Sequence, residues 1–397
     1  MYSDEMPEET VSPVDEQLEQ TVVASYLVNL SSVIADSNNA TLPIIKMETN
    51  RLTELAYGYI SPVVVLLTIV TNTLVCIVLL QKHMRSPTNL LLVAMAISDM
   101  FTGLFPVPIF VYFYTLGNFR DYVPYDWCYA HNALTIHLPT VCHTASIWLT
   151  VALSIQRYLC VCHSLQAKTL CTIQNIVRVI VALYIAALVS QASRFFEYSY
   201  TPVELTSLVG QGTVIGCSRQ LIKFFEDNIE VVYGSYWWFR VVFIHLVPCT
   251  SLVIINGLLF RTMRNAQARR DMLLRQNRRS ECRRLAESNM ATLMLLAVIS
   301  VFLLVEFPLA ILLITLIYEN TFQCLVMEKE KRDVATLIIN LIILLSYPVN
   351  FFIYCGMSRQ FRETFVNLFS TSQYKRQTST SAWQSMELQS KTFQTNH

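Results

Sequence analysis

Residues 334–355 read VATLIINLIILLSYPVNFFIYC, 22 residues without one charged side chain. A helix needs roughly 20 predominantly apolar residues to cross the hydrocarbon core of a bilayer, so this stretch predicts a transmembrane helix. Similar runs precede it at 57–81, 88–114, 130–160, 173–193, 237–261 and 290–318. The sequence therefore predicts an all-α membrane protein, a bundle of seven transmembrane helices.

The composition of the 397-residue chain favours the same class. It is 53% hydrophobic and 14% charged, with a mean hydropathy of +0.43, whereas about a quarter of the residues in a soluble domain are charged. The net charge of +1 gives no bias toward nucleic acid. The chain has no phosphate-binding glycine-rich loop, no HExxH zinc motif and no GxSxG motif. We therefore expect no enzymatic activity, no catalytic or metal-binding residue and no cofactor.

Charge also predicts the orientation in the membrane. Residues 1–56 hold ten Asp and Glu against two basic residues, whereas the loop 261–287 holds nine Arg. The positive-inside rule places the Arg-rich loop in the cytoplasm, and seven spans then put the N-terminus outside and the C-terminus inside. Acceptor sequons at Asn29 and Asn39 agree with an extracellular, glycosylated N-terminal tail.

The predicted domains are an extracellular tail at 1–56, a seven-transmembrane domain at 57–355, an amphipathic juxtamembrane helix at 356–369 and a disordered cytoplasmic tail at 370–397. Phe361, Phe365 and Phe369 recur at the spacing of one helix face, which predicts a helix on the inner leaflet. A helix packed as in a soluble core is the alternative. The last segment is rich in Ser, Thr and Gln, and is either a phosphorylation segment or a solvated terminus.

Polar side chains inside the spans are candidates for function, because an ionisable residue is costly in a membrane. Asp99 lies in the middle of the second run, and further polar residues are Asn72, Ser146, Ser346 and Asn350. If these residues converge, they form a polar core that can hold a hydrated cation such as sodium. Hydrogen bonding between helices is the alternative.

A set of motifs follows the seven spans in order. Its members are Asn72, Asp99, Gln156-Arg157-Tyr158, Pro248, Phe302 with Pro308, and Asn350-Phe351-Phe352-Ile353-Tyr354. This set resembles the rhodopsin-like (class A) G-protein-coupled receptors over about residues 57–369. More narrowly, Ser154-Ile155-Gln156-Arg157-Tyr158, Val305-Glu306-Phe307-Pro308 and the segment 347–354 are similar to the invertebrate sex peptide receptors, also known as myoinhibitory peptide receptors.

The resemblance implies a receptor for an extracellular amidated neuropeptide that signals through a heterotrimeric G protein of the Gi/o type and lowers cAMP. It also implies an extracellular disulfide between Cys128 and Cys217, and a tail that engages arrestin and receptor kinases. Arg157 would face the G protein when the sixth helix swings out, and Tyr354 would hold that open state. The residues implied in coupling and activation are Gln156, Arg157, Tyr158, Phe302, Glu306, Pro308, Asn350 and Tyr354.

The chain departs from the family pattern in three places. Gln156 replaces the acid that precedes Arg157, so the restraint on that arginine should be weaker than a charge-assisted bond. Phe351 replaces a proline, which puts the usual distortion of the seventh helix in doubt. Cys128 lies about one helical turn further from Arg157 than in the family. Either the third helix starts a turn higher, or its top is distorted near Pro139.

Glu306 is the sharpest departure, because most of the family carries a tryptophan at this place. A buried carboxylate is costly unless it is paired or protonated. Family geometry implies that His143 lies about one contact away, with His245 as a further candidate. One hypothesis is a Glu306–His143 hydrogen bond or ion pair that rearranges on ligand binding. The other is a buried, protonated Glu306.

A ligand pocket is predicted on the outer side of the bundle. Alignment on Arg157 places Pro139 where amine receptors carry an acidic residue, which argues against a monoamine ligand. The absence of Lys from 334–355 excludes a retinal Schiff base. The pocket candidates are His143, Trp237, Trp238, Arg240, His245 and Glu306. An aromatic belt at the membrane interface is the alternative for the tryptophans.

A seven-span transporter and a receptor for another peptide class are the alternatives. Transporters tend to contain internal repeats, and none is found here. The Arg-rich loop 261–287 suits an acidic partner and anionic membrane lipid, which favours direct coupling to a G protein. The sequence thus predicts a multi-pass plasma-membrane receptor with a peptide, a G protein and lipid as partners, and no nucleic acid.

Overall fold

The computed structural model describes residues 44–45, 51–276, 279–322 and 324–368. Within these residues, seven helices are long and apolar enough to cross a membrane, which confirms the predicted bundle. They are α1 (Arg51–Leu79), α2 (Pro87–Thr115), α3 (Tyr125–Cys162), α4 (Ile173–Phe196), α5 (Gly234–Ala268), α6 (Asn289–Glu319) and α7 (Glu330–Met357). The two sequons, Phe369 and the tail 370–397 lie outside the described residues.

Several helices extend beyond the apolar runs that predicted them. Residues 51–56, assigned to the N-terminal tail, are helical and belong to α1. At the other end of the bundle, the helical segments Val247–Arg275 and Arg279–Phe322 take up most of the Arg-rich segment expected to be a loop. Arg, Leu, Met, Gln and Ala are strong helix formers, so these helices continue where the apolar pattern stops.

Three spanning helices contain a π-helical segment shortly before a proline. The segments are Ala56–Ile60 before Pro62, Ala133–His137 before Pro139, and Arg240–Leu246 before Pro248. Proline lacks an N–H donor and crowds the carbonyl of the preceding turn, and a local π turn is one way in which a helix accommodates this. The top of α3 is therefore distorted before Pro139, and α5 is distorted before Pro248. α6 stays α-helical through Pro308.

α7 is also interrupted, at a different residue from the family pattern. The segment Lys329–Ser346 ends before Tyr347 and Pro348, and the helix resumes at Val349–Met357. The distortion that the Phe351 replacement put in doubt is thus retained, because Pro348 supplies it three residues earlier.

A β-hairpin that the sequence did not predict covers one end of the bundle, which we call the hairpin end. Strands β1 (Tyr198–Thr206) and β2 (Thr213–Leu221) pair antiparallel between α4 and α5. The disulfide between Cys128 and Cys217 joins β2 to the top of α3. Ile45 continues the pairing, since its N–H donates to the Cys217 carbonyl (3.1 Å) and its carbonyl accepts from Val123 N–H (3.3 Å).

The turn of the hairpin is held by the loop between α2 and α3. One carboxylate oxygen of Asp121 accepts from Ser207 Oγ (2.6 Å) and the other accepts from Leu208 N–H (3.2 Å). Near the base of the hairpin, the rings of Tyr129 and Tyr200 meet edge to face, with centroids 4.5 Å apart. The hairpin is thus attached to the bundle at its turn, at its centre and near its base.

The helix predicted at 356–369 begins at residue 359, after a break at Ser358. Phe361 is fully buried against Tyr354 and Phe351, with ring centroids 5.7 and 6.1 Å away, and Phe365 also contacts Phe351 (5.9 Å). This apolar face packs against the end of α7. Part of the surface that the sequence assigned to lipid is therefore part of the core at the end of the bundle opposite the hairpin.

A buried carboxylate closes the hairpin end of α6 onto α7. Glu319 Oε1 accepts from the backbone N–H groups of Val326 (2.8 Å) and Met327 (2.6 Å). Its Oε2 lies 3.2 Å from Arg332 Nη1, and both side chains are buried. One carboxylate thus fixes the loop and the start of α7 together.

We expect Glu319→Gln to lower the stability of the folded protein, because it leaves the Arg332 charge buried without its counter-ion. Breaking a buried ion pair in this way costs about 3–5 kcal/mol. Thermal unfolding of the detergent-purified protein measures the loss. Glu328→Gln is the matched control, since the Glu328–Lys331 pair (2.9 Å) is exposed and such pairs contribute little. Equal melting temperatures for both variants would contradict a stabilising role for the Glu319–Arg332 pair.

Candidate functional site

Glu306 lies at the centre of the bundle and contacts two other helices. Its Oε1 lies 3.0 Å from His143 Nε2 of α3, and its Oε2 lies 3.5 Å from His245 Nδ1 of α5. All three side chains are buried. His143 Nδ1 is also 3.2 Å from the hydroxyl of Tyr347 at the break in α7. The predicted Glu306–His143 contact is present, and the group links α3, α5, α6 and α7.

A small cavity of about 30 Å³ separates this group from a second polar cluster around Asp99. Asp99 Oδ1 accepts from Ser146 Oγ (2.7 Å) and Oδ2 accepts from Asn350 Nδ2 (3.4 Å). Ser346 also lines the cavity. A cavity of this size has room for about two water molecules, and carboxylate and hydroxyl oxygens are ligands that hard cations prefer.

Asn72 does not belong to this polar core, although the sequence placed it there. Its side-chain amide donates to the Thr68 carbonyl of its own helix (3.0 Å), and it does not line the cavity. This bond lies within α1, so Asn72 matches neither the polar core nor the alternative of hydrogen bonding between helices. Asp99, Ser146, Ser346 and Asn350 are the predicted members that the structure brings together.

Gln156 contacts α2 instead of its neighbour Arg157. Its Oε1 accepts from Thr88 Oγ1 (3.1 Å) and its Nε2 donates to Cys160 Sγ (3.2 Å). The expected neutral bond to Arg157 is absent from the part of the chain that the structure describes, because both ends of the Gln156 amide are already engaged. Arg157 Nε is buried and has no hydrogen-bond partner among the described residues.

Three other residues of the predicted coupling set pack against neighbouring helices. Tyr158 packs beside Leu259 and Met263 of α5. Phe302 packs beside Val151 and Leu252 and also lines the cavity below Glu306. Tyr354 is buried in the core that the C-terminal helix completes. These contacts join Tyr158 to α5, Phe302 to α3 and α5, and Tyr354 to the C-terminal helix.

Of the two predicted pocket tryptophans, only one faces the interior. Trp237 is 9% exposed, whereas Trp238 is 54% exposed and faces outward. Consecutive helical residues point about 100° apart, so the two side chains face different surroundings. The exposure of Trp238 on a spanning helix fits the alternative of an interfacial belt, and its place in the pocket stays a prediction.

Arg240 lies inside, one turn before His245. It is fully buried, it donates from Nη1 to the Tyr236 hydroxyl (3.2 Å), and its guanidinium carbon lies 5.6 Å from the centre of the Trp237 ring. An arginine at this distance from an indole makes a cation–π contact. The hairpin end of α5 thus presents a cation between two aromatic rings.

Sequence reasoning missed the polar cluster that joins α4 to α5. Arg194 and Glu197 form a buried ion pair (2.7 Å), and the Arg194 guanidinium lies 5.0 Å from the Tyr236 ring. The Tyr236 hydroxyl donates to Gln191 Oε1 (2.8 Å). The sequence did contain a signal for this cluster, namely two opposite charges three residues apart at the end of the fourth apolar run.

Tyr184 in α4 is a second contact that the sequence did not indicate. Its hydroxyl donates to the Ala94 carbonyl (3.0 Å) and hydrogen-bonds Ser98 Oγ (2.6 Å), which joins α4 to α2 beside Asp99.

On the hairpin, burial raises the pKa of Tyr200 to about 12. The Tyr200 hydroxyl therefore stays protonated well above physiological pH and can donate a hydrogen bond.

Comparison with known proteins agrees with this geometry. Residues 59–372 match the family model described as serpentine type 7TM GPCR chemoreceptor Srw. The chain belongs to the seven-transmembrane G-protein-coupled receptors. As the sequence predicted, it is a receptor and not an enzyme. The sequence motifs, the buried group around Glu306 and the Arg157 region therefore lie in a receptor of this family.

The receptor is also similar to individual members of known function. It is 42% identical to the sex peptide receptor of Drosophila melanogaster over 316 residues, 79% of this chain and 72% of that protein. It is 33% identical to sex peptide receptor-related protein 2 of Caenorhabditis elegans over 335 residues, 83% and 74% of the two chains. It is 28% identical to the FMRFamide receptor of Drosophila melanogaster over 329 residues, 81% and 55%. The predicted resemblance to the rhodopsin-like class and to the sex peptide receptors is confirmed.

We expect Gln156→Glu to lower the ligand-independent activity of the receptor. The new carboxylate can pair with the adjacent Arg157, and a charge-assisted bond is about twice as strong as a neutral one. GTPγS binding in membranes with matched receptor amounts measures basal activity.

Thr88→Ala is the control for this substitution, since it removes the bond to Gln156 without adding a charge. A basal rate in Gln156→Glu that equals or exceeds wild type would show that Arg157 is not restrained in this way.

Proposed function

We propose that this chain is a plasma-membrane receptor for an extracellular neuropeptide of the sex peptide or myoinhibitory peptide type. Its N-terminus lies outside the cell, and it signals through a Gi/o protein to lower cAMP. The observation that carries the proposal is the 42% identity, across most of both chains, to a receptor named for a peptide ligand. A receptor for another peptide class is the alternative, and the similarity to an FMRFamide receptor favours testing it first.

The geometry of the hairpin end supports a peptide ligand with aromatic residues and a terminal amide. The Arg240 guanidinium can donate to the carbonyl of such an amide, and Trp237 and Tyr236 can pack against its aromatic side chains. Pro139 cannot bind an ammonium group. Glu306 lies deeper in the bundle and is either ionised or protonated. Two histidines already contact it. These contacts favour a peptide over a monoamine.

The proposed mechanism is a shift between two conformations of the bundle. A peptide that binds one conformation more tightly increases its population by that difference in affinity. Glu306 is the link in this mechanism, because it joins α6 to α3 and α5 directly below the pocket candidates. When these contacts rearrange, α6 can move away from α3 at the opposite end. Arg157 then becomes available to the G protein.

The tails would add regulation to this scheme. Residues 370–397 carry the Ser and Thr residues that receptor kinases would phosphorylate for arrestin, since a phosphate adds about −1.5 to −2 charges. Glycans at Asn29 and Asn39 would mark the extracellular side. All of these residues lie outside the described part of the chain, and these assignments stay predictions.

The test of the function is a cAMP and calcium measurement in cells that express the receptor. We expect amidated, tryptophan-containing peptides to lower forskolin-stimulated cAMP, and pertussis toxin to abolish the effect. FMRFamide-type peptides and monoamines are the comparison panels. Silence toward the tryptophan-containing peptides, with surface expression demonstrated, would overturn the ligand assignment. A response that resists the toxin would overturn the Gi/o assignment alone.

We expect Glu306→Gln to raise ligand-independent signalling, because the substitution keeps a hydrogen-bonding side chain but removes the charge that attracts the histidines. A hydrogen bond to a charged group contributes about 1.5–3 kcal/mol, so the conformational equilibrium should shift by roughly tenfold or more. Basal and peptide-driven GTPγS binding, normalised to surface receptor, measure the shift. Unchanged values for both would remove the charge from the mechanism.

A further inference from the structure

Two free cysteines lie together where α3 leaves the bundle, and the proposed mechanism uses neither thiol. Cys160 is in the last turn of α3, and Cys171 follows the short helix Ser164–Leu170 that leads to α4. Both side chains are partly exposed, so a small oxidant can reach them. The side chains of Cys160 and Cys171 hydrogen-bond each other. The fold thus brings together two thiols that are eleven residues apart in sequence.

Backbone hydrogen bonds hold Cys171 in place. The N–H of His163 donates to the Leu159 carbonyl at the end of α3 (2.8 Å). The N–H of Ala167 donates to the His163 carbonyl (3.0 Å), and that of Cys171 donates to the Ala167 carbonyl (2.9 Å). These bonds link each turn to the next from α3 to Cys171. Cys171 is therefore held in a defined position relative to Cys160, which is the condition for an intramolecular disulfide.

The surroundings of Cys160 are those of a reactive thiol. Its Sγ accepts from Gln156 Nε2 (3.2 Å). Arg157 lies three residues before it on the same helix face, and the guanidinium interacts electrostatically with the sulfur. Reactive cysteines are found beside N–H donors and cations of this kind.

The second thiol is suited to a different step. Burial raises the pKa of the Cys171 thiol, so this group stays protonated at neutral pH. A thiol next to a more reactive one acts as the resolving cysteine, which attacks the first cysteine after it has been oxidised. The pair thus contains the two parts that a reversible oxidation requires.

We propose that Cys160 and Cys171 form a peroxide-sensitive thiol pair that closes to a reversible disulfide. The Cys160 sulfur attacks one oxygen of hydrogen peroxide, the O–O bond breaks, and a sulfenic acid and one water form. The Cys171 sulfur then attacks the sulfenic sulfur, the S–O bond breaks, and the hydroxyl leaves with a proton as a second water. In total the two thiols lose two electrons and two protons, and the peroxide is reduced to two waters. A thiol reductant reverses the oxidation by exchange.

The disulfide acts on the end of the receptor that carries Arg157. The inference rests on the proposed function for the cytoplasmic position of this end and for the G protein. A bond formed in the conformation described here excludes conformations in which the two sulfurs are separated, and Arg157 Nε is buried in this conformation. We therefore expect the oxidised receptor to bind the G protein more weakly. Disulfides in the cytosol are usually transient and redox-sensing, which fits this role.

The test uses the full-length receptor in lipid nanodiscs, treated with hydrogen peroxide and digested for mass spectrometry without reduction. We expect a peptide pair joined through Cys160 and Cys171, the loss of both free thiols, and their return after dithiothreitol. Cys162→Ser is the matched control, because Cys162 is also partly exposed but its Sγ lies 3.5 Å from the Thr262 hydroxyl. This control should form the disulfide as wild type does.

Two single variants decide the order of the steps. In Cys171→Ser the sulfenic acid of Cys160 has no resolving thiol, so dimedone should label Cys160 several-fold more than in wild type after peroxide. Cys160→Ser keeps an acceptor for Gln156 and should show no comparable labelling of Cys171. Equal labelling of the two positions would contradict the assigned roles.

Binding of a Go heterotrimer under nucleotide-free conditions, without any peptide, measures the effect on coupling. We expect peroxide to weaken Go binding to wild type several-fold and dithiothreitol to restore it. Cys171→Ser should lose this response, because it cannot form the disulfide. An oxidised receptor that binds Go as the reduced one does would overturn the effect on coupling.

Peroxide treatment that leaves both thiols free, or that joins Cys160 to another cysteine instead, would overturn the proposal. The disulfide is measured without peptide or G protein, so an error in the ligand or the Gi/o assignment does not affect this part of the test. A wild-type receptor that forms the disulfide but ignores the peptide panels would separate the two failures.

Discussion

Water cannot satisfy a charge in the hydrocarbon core of a membrane, so a buried acid in this bundle has to find its partners within the protein. Three carboxylates meet that requirement at three levels. Glu319 binds the loop after α6 and Arg332 of α7, Glu306 contacts α3 and α5, and Asp99 of α2 binds α3 and α7. Each acid thus joins its helix to other helices, and the order of the bundle follows from these links.

The placement of these acids divides α6 into two unlike halves. Toward the hairpin, Glu319 and Glu306 hold it with directional polar contacts. Toward Arg157, the contacts that α6 makes with α3 and α5 include two aliphatic clusters around Ile299 and Leu296. Apolar contacts are non-directional, and side chains can exchange neighbours at small cost if the volume stays filled. A helix held in this way is more tightly restrained in its polar half than in its apolar half.

Much of this architecture was readable from the sequence, because a spanning helix must be apolar over a length that the bilayer fixes. The Glu306–His143 contact was also predictable, since a buried acid requires a partner and the family geometry offered few. The β-hairpin was not, because its place on the bundle depends on contacts with residues distant in sequence, among them the bonds of Asp121 and Ile45. The outward direction of Trp238 and the intrahelical bond of Asn72 were not predictable for a related reason: a residue type suggests a role, but the side chain's direction on the helix decides what it contacts. The prediction for Gln156 considered only its sequence neighbour Arg157. In the structure its hydrogen-bond partners are Thr88 and Cys160.

The pairing of Ile45 with Cys217 also has a consequence for biosynthesis. Ile45 leaves the ribosome before α1, whereas β2 is made only after α1 to α4 have emerged. The segment around Ile45 must therefore wait while four helices are made, and only then can it join the strand. The oxidation of Cys128 and Cys217 brings that strand to the top of α3. Closure of the hairpin end is thus a late step in the maturation of the receptor, and it joins the first-made part of the described chain to its middle.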